Sequence, residues 1–392
     1  MKILVLIHSM GGGGAERVAS HLTRHWAACG HRVVLASITG TAGDAYAIDS
    51  RVERIGLGLD GDGVGTALGL WNNLRRQRAV RRLLREQRPH IALGMMVTAS
   101  IQLALAPRAD GRRDIGTERT HPPKVPLASV WQWLRRHGFG RLDAVVAQTA
   151  ASAEWLRAHT AASRVEVIGN PLAWPLPDSG PAVDPGTCFR AGRRTMLMVG
   201  RLAPEKQLEH AVEAFAALAQ ELPLWDLVIV GDGPERKRLE EQIDAAGLAG
   251  RARLAGPVGN LSDWYARADL FAMTSRFEGF PNTLAEALAS GLAVVSYDCL
   301  TGPSELIEHE VNGLLVAPQD RDALRVALMR LMRDDSLRLA LGQRAVEVRE
   351  RFSLPRVAAQ WDALFASLGV AAAQALNPLP NPPPVRGRGQ ES

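Results

Sequence analysis

The segment Ser275-Arg276-Phe277-Glu278-Gly279-Phe280-Pro281-Asn282-Thr283-Leu284-Ala285-Glu286 holds two carboxylates eight positions apart, at a point where the chain changes its local structure. The apolar run Leu270–Thr274 predicts a strand, and Pro281-Asn282 predicts the start of a helix. Glu278 then lies in the turn, and Glu286 lies about one turn inside the helix, on a face that can look back at the loop. Gly279 permits the turn, and the helix start presents free N–H groups to an anion. Carboxylates so placed can accept hydrogen bonds from sugar hydroxyls, one from a hexose and one from a ribose. The alternative is a loop charge and a helix charge with no shared task. The segment continues through Gly291 and Asp298 to Gly302-Pro303-Ser304-Glu305, which opens a second helix beside the first.

Three other clusters fall at predicted strand-to-helix turns, where open α/β sheets bind ligands. Gly11-Gly12-Gly13-Gly14-Ala15-Glu16-Arg17 follows the first strand. Its glycines, Gly13 and Gly14 nearest the helix, allow close backbone approach to a phosphate. It lacks the spacing of a dinucleotide fingerprint or a P-loop, so a merely flexible turn stays open. Gly200-Arg201-Leu202-Ala203-Pro204-Glu205-Lys206 places two cations five residues apart. Arg201 and Lys206 can converge on one diphosphate, although two solvated charges read the same way. Thr117-Glu118-Arg119-Thr120-His121-Pro122 is the fourth cluster.

The elements that must position these residues come in two alternating series. Strands are predicted at Ile3–Ile7, Arg32–Ser37, Ile91–Val97, Ala144–Gln148 and Arg164–Ile168, with helices at Glu16–Cys29 and Trp71–Gln87. A second series has strands at Thr195–Val199, Asp226–Val230, Ala252–Leu254, Leu270–Thr274, Ala293–Ser296 and Gly313–Val316. Helices at 319–333, 335–351 and 355–368 follow. This rhythm predicts an α/β protein of parallel βαβ units, two doubly wound Rossmann-like domains facing a cleft. The divisions expected are 1–170, a Pro- and Gly-rich linker at 171–194, 195–354, a helix at 355–370 packing back on the first domain, and a disordered tail at 371–392.

On Glu278, Glu286, Gly291 and Gly302-Pro303-Ser304-Glu305 the chain resembles the retaining, metal-independent glycosyltransferases of the GT-B fold, family 4. Gly200-Arg201-Leu202 with Lys206, Gly231-Asp232-Gly233-Pro234 and Asn312-Gly313-Leu314-Leu315-Val316 extend the match over 195–355. Ala293 stands where that family often has proline. The resemblance implies that Glu286 binds the ribose and Glu278 the donor hexose, and that Arg201 and Lys206 hold the diphosphate. Asn282, Thr283 and Gly302 would line the donor, and the strand edge near Arg253 would meet the base. The glycine-loop Glu16-Arg17 together with Glu118-Arg119 resembles a subgroup that builds bacterial surface polysaccharides. There Glu118, Arg119 and His121 would touch the acceptor hydroxyl or its phosphate. The transfer implied is of a hexose or N-acetylhexosamine from a nucleotide-diphosphate sugar, UDP-linked, to a lipid-linked glycan, with no cofactor. Asp60-Gly61-Asp62 matches the metal-binding Asp-x-Asp of the other major glycosyltransferase fold, but no strand feeds it, and no metal is expected.

Charge is unevenly placed. Residues 1–170 carry 23 Lys and Arg against 13 Asp and Glu, a net of +10, and the remainder carries 23 against 28, a net of −5. An arginine-rich composition or an anionic partner both account for this. Arg75, Arg78, Arg82 and Arg85 share one face of the 71–87 helix, with Arg76 and Arg81 beside them and Leu70, Leu74, Leu83 and Leu84 elsewhere. Trp131, Trp133 and Leu134 lie beside Arg135 and Arg136. Aromatic and basic groups together suit an anionic leaflet, which points to peripheral contact with the inner face of the cytoplasmic membrane. The 91–106 apolar stretch is too short and too polar to span a bilayer. Three cysteines without metal-like spacing favour a reducing, cytoplasmic compartment. A GT-B epimerase, a transferase acting on a soluble acceptor, and a nucleic-acid binder are the competing classes; the last lacks RNA-binding aromatic motifs.

Overall fold

The computed structural model describes residues 1–60, 67–125 and 127–370. Two all-parallel sheets carry it. The first contains β1 (Lys2–Ile7), β2 (Arg32–Ser37), β3 (Val52–Gly56), β4 (Ile91–Gly94), β5 (Arg113–Glu118), β6 (Ala144–Ala147) and β7 (Val165–Val167). The second contains β8 (Arg194–Val199), β9 (Trp225–Val230), β10 (Ala252–Gly256), β11 (Leu270–Met273), β12 (Ala293–Tyr297) and β13 (Leu314–Val316). Strand orders are 3-2-1-4-5-6-7 and 10-9-8-11-12-13. In each sheet the order reverses once, between β1 and β4 and between β8 and β11. Those switch points are where a doubly wound sheet opens a ligand crevice.

Helices of the first half are α1 (Gly14–Ala28), α2 (Ala67–Gln87), α3 (Met96–Ala104), α4 (Ser129–Gly138) and α5 (Ala150–His159). The second half has α6 (Leu208–Leu218), α7 (Arg236–Ala245), α8 (Leu261–Arg267), α9 (Asn282–Ala289), α10 (Pro303–Leu306), α11 (Arg321–Arg333), α12 (Asp335–Ala345) and α13 (Val348–Arg351). The chain then returns to the first half through α14 (Leu354–Ser367). Trp361 and Phe365 of α14 meet Trp26 of α1 at ring-centroid distances of 6.3 and 5.5 Å. The 171–194 stretch lies on the second half, where Asn260 holds both backbone polar groups of Val183 and Trp264 donates to the Val183 carbonyl.

The differences from the sequence reading have physical causes. Ile91–Val97 is not one strand: β4 ends at Gly94 and α3 begins at Met96. Gly94 is required there, since a Cβ would stand 2.7 Å from the Ser100 backbone. β3 was missed because it is a half-exposed edge strand with no apolar run. β5, Arg-Asp-Ile-Gly-Thr-Glu, was missed because it is no apolar run: its buried Asp114 is neutralised by Arg112, two positions away, and its buried Glu118 by Arg135 of α4. The 335–351 helix divides into α12 and α13. Asp60-Gly61-Asp62 and the tail at 371–392 fall wholly or partly outside the described residues.

Candidate functional site

The carboxyl ends of the two sheets face each other, and the loops at both switch points meet there. After β8 a short turn, Pro204–Lys206, is closed by Gln207 in the left-handed region (φ 46°). Thr274 Oγ1 donates to the Lys206 carbonyl at 2.9 Å, and Arg276 N donates to the Glu205 carbonyl at 2.8 Å. These two bonds fasten the loop after β8 to the loop after β11. Lys206 Nζ and Ser275 Oγ each donate to Glu278 Oε1 at 2.6 Å. Thr301 Oγ1 donates to the Glu278 carbonyl at 2.5 Å, which draws the α10 start against the same loop. Gly302 there has φ +104°, and a Cβ would press 2.6 Å from Pro281 Cδ. Lys206, Glu278 and Thr283 line one small cavity.

Arg201 is exposed and pairs with Glu205 at 2.9 Å. It lines a neighbouring pocket of about 190 Å³ with Gly231, Asp232, Val258 and Leu261. Arg253, on edge strand β10, is held by the linker rather than by the loops after β8 and β11. The linker lies across edge strand β10, and Arg253 donates to the Cys188 carbonyl at 2.8 Å.

Glu286 is buried, at 3% exposure. Tyr265 OH donates to its Oε2 at 3.1 Å and Arg17, from the opposite half, pairs with its Oε1. Asn282 opens α9, and its Oδ1 accepts from Asn170 Nδ2 at 2.8 Å across the seam. Gly14 makes room for that helix: a Cβ would lie 2.7 Å from Asn282 Nδ2. Gly13 caps α1 in extended conformation, with its carbonyl accepting from Tyr46 OH. Gly279 faces the Arg119 carbonyl, only 2.3 Å from where a Cβ would sit. Glu305 accepts from Ala150 N at the start of α5, at 2.9 Å. Two helices of opposite halves are thus joined by a side-chain cap.

The fourth cluster divides. Glu118 does not face the cleft: it is 1% exposed, bound by Arg135 (3.2 Å) and Thr120 (2.8 Å). Burial pushes its carboxyl up, and Arg135 opposes that. Arg135 is accordingly a core residue rather than an interface cation, and Trp131 and Leu134 pack inward with it. Arg119 stands at the seam, donating to Asn170 Oδ1, and burial lowers it to about 10. His121 is 2% exposed, among the described residues neither ring nitrogen has a hydrogen-bond partner, and burial lowers its pKa, so the ring is neutral at pH 7. A buried imidazole without a protein partner is suited to receive a ligand group.

Arg17, Tyr265, Asn170 and Ser275 complete the site without having been selected from sequence. Among the described residues no three His, Cys, Asp or Glu could hold a metal ion. No described helix is long and apolar enough to cross a membrane. Outside the cleft, Trp71 and Leu74 of α2 are exposed at 53% and 52%, and Val130 and Trp133 of α4 at 65% and 60%. Further along α2, Arg78, Arg81, Arg82, Arg85 and Arg88 line a groove of about 1120 Å³ with Arg108.

Comparison with known proteins gives this geometry a family. Residues 12–172 match the model "Glycosyltransferase Family 4", and residues 187–348 match "Glycosyl transferases group 1". The chain is 32% identical over 246 residues to the lipopolysaccharide core biosynthesis mannosyltransferase LpcC of Rhizobium leguminosarum bv. viciae, covering 60% of this chain and 67% of that one. It is 38% identical over 232 residues, 58% of its length, to an exopolysaccharide phosphotransferase of Streptomyces coelicolor, of which it spans 24%. The structure of Anabaena HepE in complex with UDP superposes with a TM-score of 0.75 at 22% identity, covering 94% of this chain and all of that one. The chain belongs to the family 4, group 1 glycosyltransferases, and it is a transferase of the GT-B fold.

Proposed function

We propose that the enzyme moves a hexose or N-acetylhexosamine, with retention, from a UDP-sugar to a lipid-linked glycan in bacterial surface polysaccharide synthesis. The carrying observation is the Lys206–Glu278–Ser275 cluster set beside two helix starts, α9 and α10. The reaction breaks the bond between the anomeric carbon and the diphosphate oxygen, so negative charge grows on the leaving group. Lys206, Arg201 and the α9 N-terminus are placed to meet that charge in a partly dry crevice, which is electrostatic preorganisation. Glu278 accepts hydroxyl hydrogen bonds from the sugar, and Glu286 accepts those of the ribose. His121, lacking a partner among the described residues, would serve the acceptor. No residue is assigned as base.

UDP is supported by its presence in the HepE complex, and the polysaccharide setting by the names of the relatives. The lipid-linked acceptor is supported by the exposed Trp71 and Leu74 of α2 and Val130 and Trp133 of α4, together with the arginine-lined groove. Such a face suits peripheral contact with the anionic cytoplasmic leaflet. The test is nucleoside diphosphate release from UDP-sugars with and without a polyprenyl-diphosphate glycan. Release only with the glycan is expected, and Lys206→Ala should lower turnover about 10²- to 10³-fold. Conversion of the donor sugar without any acceptor would make the protein an epimerase instead.

A further inference from the structure

The ribose carboxylate is already occupied. Glu286 Oε1 is paired with Arg17 and Oε2 accepts from Tyr265, while the side chain is only 4% exposed. A carboxylate has about four lone-pair positions, but burial to this degree leaves no open approach to the others. Tyr265 belongs to the same half as Glu286, is itself fully buried, and its single hydroxyl proton is shared with the Thr283 carbonyl, 3.2 Å away, so it is a fixed part of the site. Arg17 differs on both counts. It comes from the first turn of α1 in the opposite half, and its side chain is 25% exposed toward the crevice. Of the two partners, Arg17 is the one with room to leave.

We infer that Arg17 is a gate on the donor site: it holds Glu286 while the donor is absent and must withdraw before ribose hydroxyls can bind. Arg17 is then a competitor, not a ligand, of the nucleotide. Removing a charged partner from a buried carboxylate and supplying neutral hydroxyls instead is unfavourable, so the gate lowers the observed donor affinity by the fraction of molecules already open. The bond spans the seam, so its loss on donor binding also removes one of the ties between the halves. Asn170–Asn282 and Ala150–Glu305 remain. Donor binding is coupled in this way to the relative freedom of the two domains, the motion by which a cleft of this kind admits substrate.

The inference rests on Glu286 being the ribose ligand, and the experiment separates the two claims. Dissociation constants for UDP are measured by calorimetry on the full chain, for wild type, Arg17→Met, Glu286→Gln and the double variant. Methionine keeps the apolar stem of Arg17, and glutamine keeps the Tyr265 hydrogen bond; Arg17→Ala serves as the second variant should methionine pack into the vacated position. Arg17→Met should tighten UDP binding at least about fivefold. Glu286→Gln should weaken it, and in that background Arg17→Met should change nothing, because there is no carboxylate left to guard. Weaker or unchanged binding in Arg17→Met, beside a weakened Glu286→Gln, overturns the gate and leaves the ribose assignment standing. Unchanged binding in Glu286→Gln overturns the ribose assignment and the gate with it. Tightening by Arg17→Met that persists in the Glu286→Gln background would place the action of Arg17 elsewhere and also overturns it.

Discussion

Replacing Arg135 by alanine isolates what Glu118 does. The two side chains are 3% and 1% exposed and 3.2 Å apart, so the substitution leaves a buried carboxylate with Thr120 as its remaining side-chain partner. It also removes the guanidinium from over the Trp155 ring, at 4.7 Å, and from Gln132, at 2.6 Å. Breaking a buried pair this way costs about 3–5 kcal/mol. Glu118 has an escape, which is to take up a proton. From an ordinary value of 4.5, protonation at pH 7 costs at most about 3.4 kcal/mol, and at pH 5 about 0.7 kcal/mol. The variant therefore has a folded-state carboxyl raised above its unfolded value. Its stability relative to wild type is retained below pH 4.5 and lost as pH rises toward 7. Urea unfolding should show Arg135→Ala about 3 kcal/mol less stable at pH 7, and within about 1–2 kcal/mol of wild type at pH 5. In thermal unfolding, the pH 7 loss corresponds to roughly 6–12 °C for a domain of this size. Glu118→Leu combined with Arg135→Met should recover most of the stability, since an apolar pair of similar volume often matches a buried ion pair. Arg135→Ala with wild-type stability at pH 7 but abolished transfer would refute the reasoning and return Glu118 to the catalytic set.

Two further outcomes follow from burial and backbone geometry. Burial first, then Arg24 and Arg17, lowers His21 to about 4, so it is neutral in the fold and must charge on acid unfolding. Its folded value is depressed, so its contribution is present above about pH 6.5 and lost toward pH 4, at most about 3 kcal/mol. His21→Gln should flatten that acid limb in urea titrations at pH 7 and 4.5, and an unaltered slope would contradict the assignment. Gly231→Ala should fail for a different reason. Gly231 has φ +131°, and a Cβ would lie 2.0 Å from the Gly200 carbonyl oxygen, a backbone atom with nowhere to go. A loss of at least about 2 kcal/mol, or no soluble protein, is expected; wild-type melting would show the loop to be looser than its geometry.

The second sheet was readable from the sequence because its inner strands β9, β11 and β12 are apolar runs buried on both faces, as parallel strands between helix layers must be. The first sheet was less so. β5 has the same burial as its neighbours, yet its Asp114 and Glu118 are made tolerable by Arg112 and by Arg135, the latter on another helix. Scanning for apolar runs cannot find a strand whose charges are neutralised elsewhere. The same limit governs the site. That Lys206 and Glu278 come together, with Gly302 beside Pro281, was legible because local turn chemistry and a family pattern bring these loops to one place. The partners of Glu118 and Arg253, which are Arg135 and the linker carbonyl of Cys188, were not legible because they are set by packing.

The cross-seam bonds explain why the site is hard to read from either half alone. Arg17 and Glu286 are 269 positions apart, Asn170 and Asn282 are 112, and Ala150 and Glu305 are 155. Each joins a helix start or loop of one sheet to one of the other, at the same crevice where the substrate must enter. A seam held by hydrophobic contact would resist opening in proportion to its area. This one is held mainly by directional polar contacts, with Phe280 and Phe352 against Gly169 as its apolar part. Polar contacts can be exchanged one at a time for contacts with a polar substrate. The residues that tie the two halves together are therefore of the chemical types that a nucleotide sugar would also engage, and under the proposed function the two tasks fall on one carboxylate at Glu286.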